Sequence, residues 1–122
     1  MSVSVDEASK LIKDKTPPQP KEPIVYLQVA SEYEKKFAIE AQTIFSRDRV
    51  QFSVAKSIEE VGRRAPATGE IRYFQEAYQG TAEKIQRDLA QASLGNFSVK
   101  KVSIPAREGL VEVWWPKSGA VK

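Results

Sequence analysis

Residues 24–45 read IVYLQVASEYEKKFAIEAQTIF. The first seven are rich in β-branched and aromatic residues and almost continuously apolar, as expected of a strand buried on both faces. Ser31 followed by Glu34 has the form of a capping box, in which a hydroxyl and a carboxylate satisfy the free amides at a helix start. Phe37, Ala38, Ala41, Ile44 and Phe45 then recur at the three-and-four spacing of one apolar stripe, while Lys35, Lys36, Glu40 and Arg47 face away. The stretch is therefore a strand running into an amphipathic helix.

Downstream the same syntax returns. Val50, Phe52 and Val54 alternate with Gln51 and Ser53, the period of a strand with one wet face. Residues 56–69 read as a loop, and loops of that length often carry function. Residues 70–75, EIRYFQ, predict a strand, and Tyr78, Ala82, Ile85, Leu89 and Ala92 a second helical stripe that stops near Gly95 in a left-handed conformation. A short motif recurs: Tyr26-Leu27-Gln28 before Ala30, and Tyr73-Phe74-Gln75 before Ala77. Residues 97–104 alternate imperfectly around Lys100 and Lys101, predicting a strand with a bulge. Residues 110–115, LVEVWW, close the set, and Pro105 with Gly109 brackets a turn that favours a long hairpin between these last two strands. The expected fold is α+β, a ferredoxin-like β-α-β-β-α-β sheet, mainly antiparallel, with helices on one face and an extra C-terminal strand. An open α/β sheet is the alternative.

Upstream, residues 16–23 read TPPQPKEP, where repeated prolines fix φ and remove amide donors, so regular structure cannot run through them. The organisation expected is a flexible arm and linker over 1–23, one domain over 24–117 and a tail over 118–122. Val5, Ala8, Leu11 and Ile12 fall at helical spacing in the arm, too short a stripe to stand alone. A length of 122 residues with 41% hydrophobic and 29% charged composition fits a single core. No apolar run reaches the roughly 20 residues that cross a bilayer, so this segment is not expected to insert in a membrane; the lack of a secretory leader points to the cytoplasm.

The pattern of an apolar strand, a helix with small residues, a strand, a loop ending in Glu70-Ile71-Arg72-Tyr73-Phe74 and a helix with Ala82, Ile85 and Leu89 resembles the LytR C-terminal-like module. It is more loosely similar to the SPOR domain. The resemblance covers roughly residues 24–92, and Ala30-Ser31-Glu32 stand where that family has a glycine-rich turn. It implies an appended, non-enzymatic domain of a larger bacterial protein.

The chemistry available agrees with such a role. The chain has no histidine and no cysteine, which removes imidazole and thiolate catalysis, the commonest metal ligands, and disulfides. Neither GxxxxGK[ST] nor GxGxxG occurs, and the paired acids Glu59-Glu60 and Glu32 with Glu34 are expected in solvent. No enzyme activity, metal or cofactor is expected. The formal charge of +3 arises from 19 basic and 16 acidic residues that are interspersed, with Arg63-Arg64 and Lys100-Lys101 the hints of a basic patch. Trp114 and Trp115 must point to opposite faces of their strand, so one is a candidate binding anchor. Arg72 and Phe74 share a face opposite Tyr73, placing an arginine beside an aromatic ring. The candidate binding residues are thus Arg72, Phe74, Trp114, Trp115, Arg63 and Arg64. The expected role is a module that binds a protein or peptide partner through its sheet or edge, with envelope glycan or single-stranded nucleic acid as the alternative ligand.

Overall fold

Along the first strand Val25, Leu27 and Val29 are fully buried beside α-helices, while Ile24, Tyr26 and Gln28 turn to the other face. A computed structural model describes residues 22–47 and 52–117, so the arm over 1–21, the expected strand start at Val50 and Gln51, and the tail over 118–122 lie outside the described residues. The elements are β1 (Ile24–Val29), α1 (Lys35–Ser46), β2 (Ser53–Glu60), β3 (Glu70–Tyr73), α2 (Gln79–Gln91), β4 (Ser98–Lys101) and β5 (Leu110–Trp115). Single 3₁₀ turns at Glu32–Glu34 and Glu76–Tyr78 lead into the two helices, and another, Gly62–Arg64, follows β2. Among the described residues no helix is long and apolar enough to cross a membrane.

The fold is α+β, a mixed five-stranded sheet with two helices. Its order is β2-β1-β5-β3-β4. β1 runs parallel to β2 and to β5, β3 runs parallel to β4, and β3 with β5 is the antiparallel pair. This corrects the mainly antiparallel ferredoxin-like plan. Each helix joins strands that are direct neighbours, so neither unit is split by an inserted strand. The expected hairpin is also absent: β3 lies between β4 and β5. The chain after β4 crosses the end of β3 instead, where Gln75 acts as a clasp. Its amide nitrogen donates to the Ala106 carbonyl, and its oxygen accepts the Gly109 N–H.

The stripes read from the sequence face one core. Ala38, Ala41 and Phe45 of α1 join Ala82, Ile85 and Leu89 of α2, with Val25, Leu27, Ile71, Val111 and Val113 of the sheet. Both helices therefore cover the same sheet face. Positions 38 and 82, 41 and 85, and 45 and 89 are separated by one constant interval, which also separates Gln42 from Gln86. Those two glutamines do the same job: Gln42 donates to the Ala55 and Lys56 carbonyls, and Gln86 to that of Phe97. The repeat is a repeat of whole units. In that phase Val29, not Tyr26, is the counterpart of Tyr73, so the short motif matched in the sequence is out of register.

Local signals were met in part. Glu34 accepts from both the Ser31 amide at 2.9 Å and the Ser31 hydroxyl at 2.6 Å, and this use of the carboxylate explains why Glu34 is buried rather than solvated. The second helix ends one turn before Gly95, with Ser93 at φ +60 and the Leu94 amide bonded back to Leu89. β2 extends through Glu60, into the stretch expected as loop. It is an edge strand exposed along most of its length, so no burial alternation marks it.

Gly109 sits at φ +90, and a Cβ there would approach the Glu22 carbonyl to 3.1 Å. Gly109→Ala is therefore expected to destabilise by more than the roughly 1 kcal/mol of an ordinary loop strain. Gly80→Ala, inside α2 with open space around it, should instead stabilise by up to about 1 kcal/mol. Thermal melts of the two variants check the contrast; equal shifts would refute it.

Candidate functional site

The face of the sheet away from the helices is built by strand register. On it Tyr26, Glu112, Arg72 and Lys100 form one row across β1, β5, β3 and β4, and Gln28, Trp114, Glu70 and Ser98 the next. Phe74, one residue past β3, continues the face beside Leu110. Among the described residues no helix or strand covers it.

At its centre the Arg72 guanidinium lies 4.1 Å above the Trp114 ring. Its Nε donates to Glu70 Oε1 at 2.8 Å, and the indole Nε1–H of Trp114 donates to Glu112 Oε1 at 3.0 Å. Arginine stacks flat on an indole through the ring's negative face, and the Glu70 bond fixes its plane. One acid therefore orients the cation and another orients the ring. The result is a pre-set surface with two charges of each sign, since Lys100 also reaches Glu70 at 3.9 Å.

Beside this stack the connection after β4 stands as a wall. Val102, Ile104, Pro105 and Ala106 close a cleft of about 370 Å³ whose floor is Arg72, Phe74, Leu110, Glu112 and Trp114. Ile104 is 60% exposed and presents its side chain at the rim of this cleft. The wall is held by the Gln75 clasp and by Val102 N–H to the Tyr73 carbonyl at 2.9 Å. The cleft combines apolar surface with one oriented arginine, a composition suited to holding a side chain and reading one polar group beside it.

Of the residues picked from the sequence, Arg72, Phe74 and Trp114 are brought together here. Trp115 is not: it is buried in the helix-side core, its Nε1 donating to the Leu94 carbonyl and its ring edge-on to Phe97. Trp114, the member of the pair on the open face, is only 6% exposed, roofed by Arg72. Arg63 and Arg64 lie past the far end of β2, with β1 between that strand and the cleft, and Arg64 pairs with Glu59 at 3.2 Å. They form no part of this site. Tyr73 faces the core, so it supplies no stacking platform on the open face. The sequence reading missed Glu70, Glu112, Leu110 and the wall. The available signal was the apolar Val102 and Ile104, read as the end of a strand over 97–104, whereas β4 stops at Lys101.

No protein-family model matches the chain, and comparison with curated proteins and with solved structures gave no match.

Proposed function

We propose that the domain is a non-catalytic module that binds a protein or peptide, and that the cleft over Arg72, Phe74 and Trp114 is where it does so. The observation that carries this is the Arg72–Trp114 stack beside the exposed Ile104. Interfaces draw their affinity from tryptophan and arginine anchors ringed by apolar contacts, and here both anchors are already fixed by Glu112 and Glu70. Such a role agrees with the appended bacterial modules that the core pattern resembles. The reading as a binder of glycan or single-stranded nucleic acid is weaker. A phosphate site needs unpaired cations, whereas Arg72, the cation of the cleft floor, is paired with Glu70 at 2.8 Å and has Glu112 beside it.

Selection from a random peptide library by the purified domain, followed by calorimetry on the selected peptide, tests it. Ile104→Glu, which disturbs no buried contact, and Arg72→Ala should each weaken binding by about 2 kcal/mol, roughly thirtyfold. Binding should fall only slightly between low and moderate salt. Selected peptides that bind both variants as well as the parent would refute the site, and a steep salt dependence would favour the nucleic-acid reading instead.

A further inference from the structure

The two edges of the sheet are finished differently. On β2, Gln42 donates to the carbonyls of Ala55 and Lys56 in mid-strand, and the register with β1 slips between Val25 and Leu27. Bulges and capped carbonyls of this kind spoil an edge for further pairing. On β4 the equivalent Gln86 ties the Phe97 carbonyl instead, one residue ahead of the strand. The ladder of β4 is otherwise regular, Ser98 to Lys101 pairing residue for residue with Glu70 to Tyr73. Ser98 and Val102 turn their N–H groups inward to β3. Alternation then directs the backbone N–H and C=O of Val99 and Lys101 outward. Among the described residues no strand lies beyond them.

The charge along this edge is of one sign. Residues 97–107 contain Lys100, Lys101 and Arg107 and no acid. Lys100 is 62% exposed and only 3.9 Å from Glu70 at its nearest, and Lys101 pairs with Glu76, itself 74% exposed. The Lys101–Glu76 pair is exposed on both sides and Lys100 meets Glu70 only at 3.9 Å, so a partner's carboxylates engage both lysines at small cost. A second copy of β4 would set lysines against lysines, which like-charge repulsion disfavours.

We propose that β4 accepts a sixth strand from a partner: an extended, acidic segment whose main chain pairs with Val99 and Lys101 and whose carboxylates flank Lys100 and Lys101. This is a second surface, distinct from the open-face cleft, and it stands whether or not the cleft binds peptide. Main-chain pairing gives the affinity and the lysines choose an acidic sequence.

The probe is a short capped peptide with two adjacent glutamates flanked by valine and threonine, so that one carboxylate reaches Lys100 on the open face and the next Lys101 on the helix face, titrated into the whole isotope-labelled chain and followed by amide spectra and hydrogen exchange. The expected result is slowed exchange at the Val99 and Lys101 amides, with a Kd no weaker than about 1 mM. N-methylation of the peptide at alternate amides should abolish binding in one phase and spare it in the other, the signature of a strand. Lys100→Glu with Lys101→Glu should weaken it at least tenfold, and Lys101→Pro, which removes an outward donor along with the charge, should weaken it well beyond Lys101→Ala, which removes the charge alone, while the chain stays folded. Absence of binding overturns the proposal. So does binding that leaves both amides unprotected or ignores the phase of N-methylation. If Lys100→Ser with Lys101→Thr makes the chain self-associate while the parent takes up no peptide, the lysines merely guard the edge and the proposal fails.

Discussion

Trp115→Ala is expected to lower stability by about 3–5 kcal/mol, the range for deleting a large buried aromatic. The ring is 3% exposed and meets Phe97 edge-on, with centroids 5.4 Å apart. Phe97 in turn fills space against Gly69 and Gly95, where an added Cβ would lie 2.7 Å from its ring. Truncation therefore removes the ring on which Phe97 packs, and Phe97 is itself confined by Gly69 and Gly95. It also leaves the Leu94 carbonyl without the indole donor. Trp115→Phe, which keeps a ring but not the N–H, should cost less, about 1–3 kcal/mol. Urea titration of the two variants reads the difference. A loss below about 1 kcal/mol for Trp115→Ala would show that this ring is not part of the core as placed.

The second large effect lies in the helices. Phe45→Ala should cost about 3–5 kcal/mol and Leu89→Ala about 2–5 kcal/mol, because both are fully buried at equivalent places in the two units. Phe45 also meets Phe52 edge-to-face at 5.7 Å, a contact its counterpart lacks in kind. Glu83→Ala, on the flank of α2, should stay within about 0.5 kcal/mol. Chemical denaturation of the three variants checks the order, and a Glu83 effect as large as that of Leu89 would overturn the assignment of faces.

What was legible in the sequence was whatever repeats locally. Ala38, Ala41 and Phe45, and Ala82, Ile85 and Leu89, were found because a helix that buries one stripe writes it at fixed spacing. The opposite facing of Trp114 and Trp115 followed from the pleat in the same way. Pairing partners leave no such trace. That β5 enters between β1 and β3 depends on contacts between distant segments, so both the sheet order and the hairpin were misread. The candidate site inherits that difficulty. Arg72 was paired in expectation with Phe74, its neighbour in sequence, whereas the ring beneath it belongs to Trp114, brought there by the antiparallel register of β3 and β5. The length of β2 was lost because an edge strand that packs only Val54 and Ile58 against the core shows no clean alternation. The wall of the cleft was lost because Val102 and Ile104 read as the end of a strand over 97–104, whereas β4 stops at Lys101.

The central position of β5 has a consequence for synthesis. A chain leaving the ribosome completes both strand–helix units before residue 110 appears, yet nothing then joins β1 to β3, and each carries a bare inner edge. The two half-sheets must remain apart, their apolar faces covered on the helix side only, until six more residues supply the keystone. Assembly is thus a late event driven by contacts of long sequence separation, which slows folding and lengthens the time for which pairing edges are open to wrong partners. Whatever sequence follows Trp115 in the nascent chain gains importance for that reason, since it sets how soon β5 clears the exit tunnel.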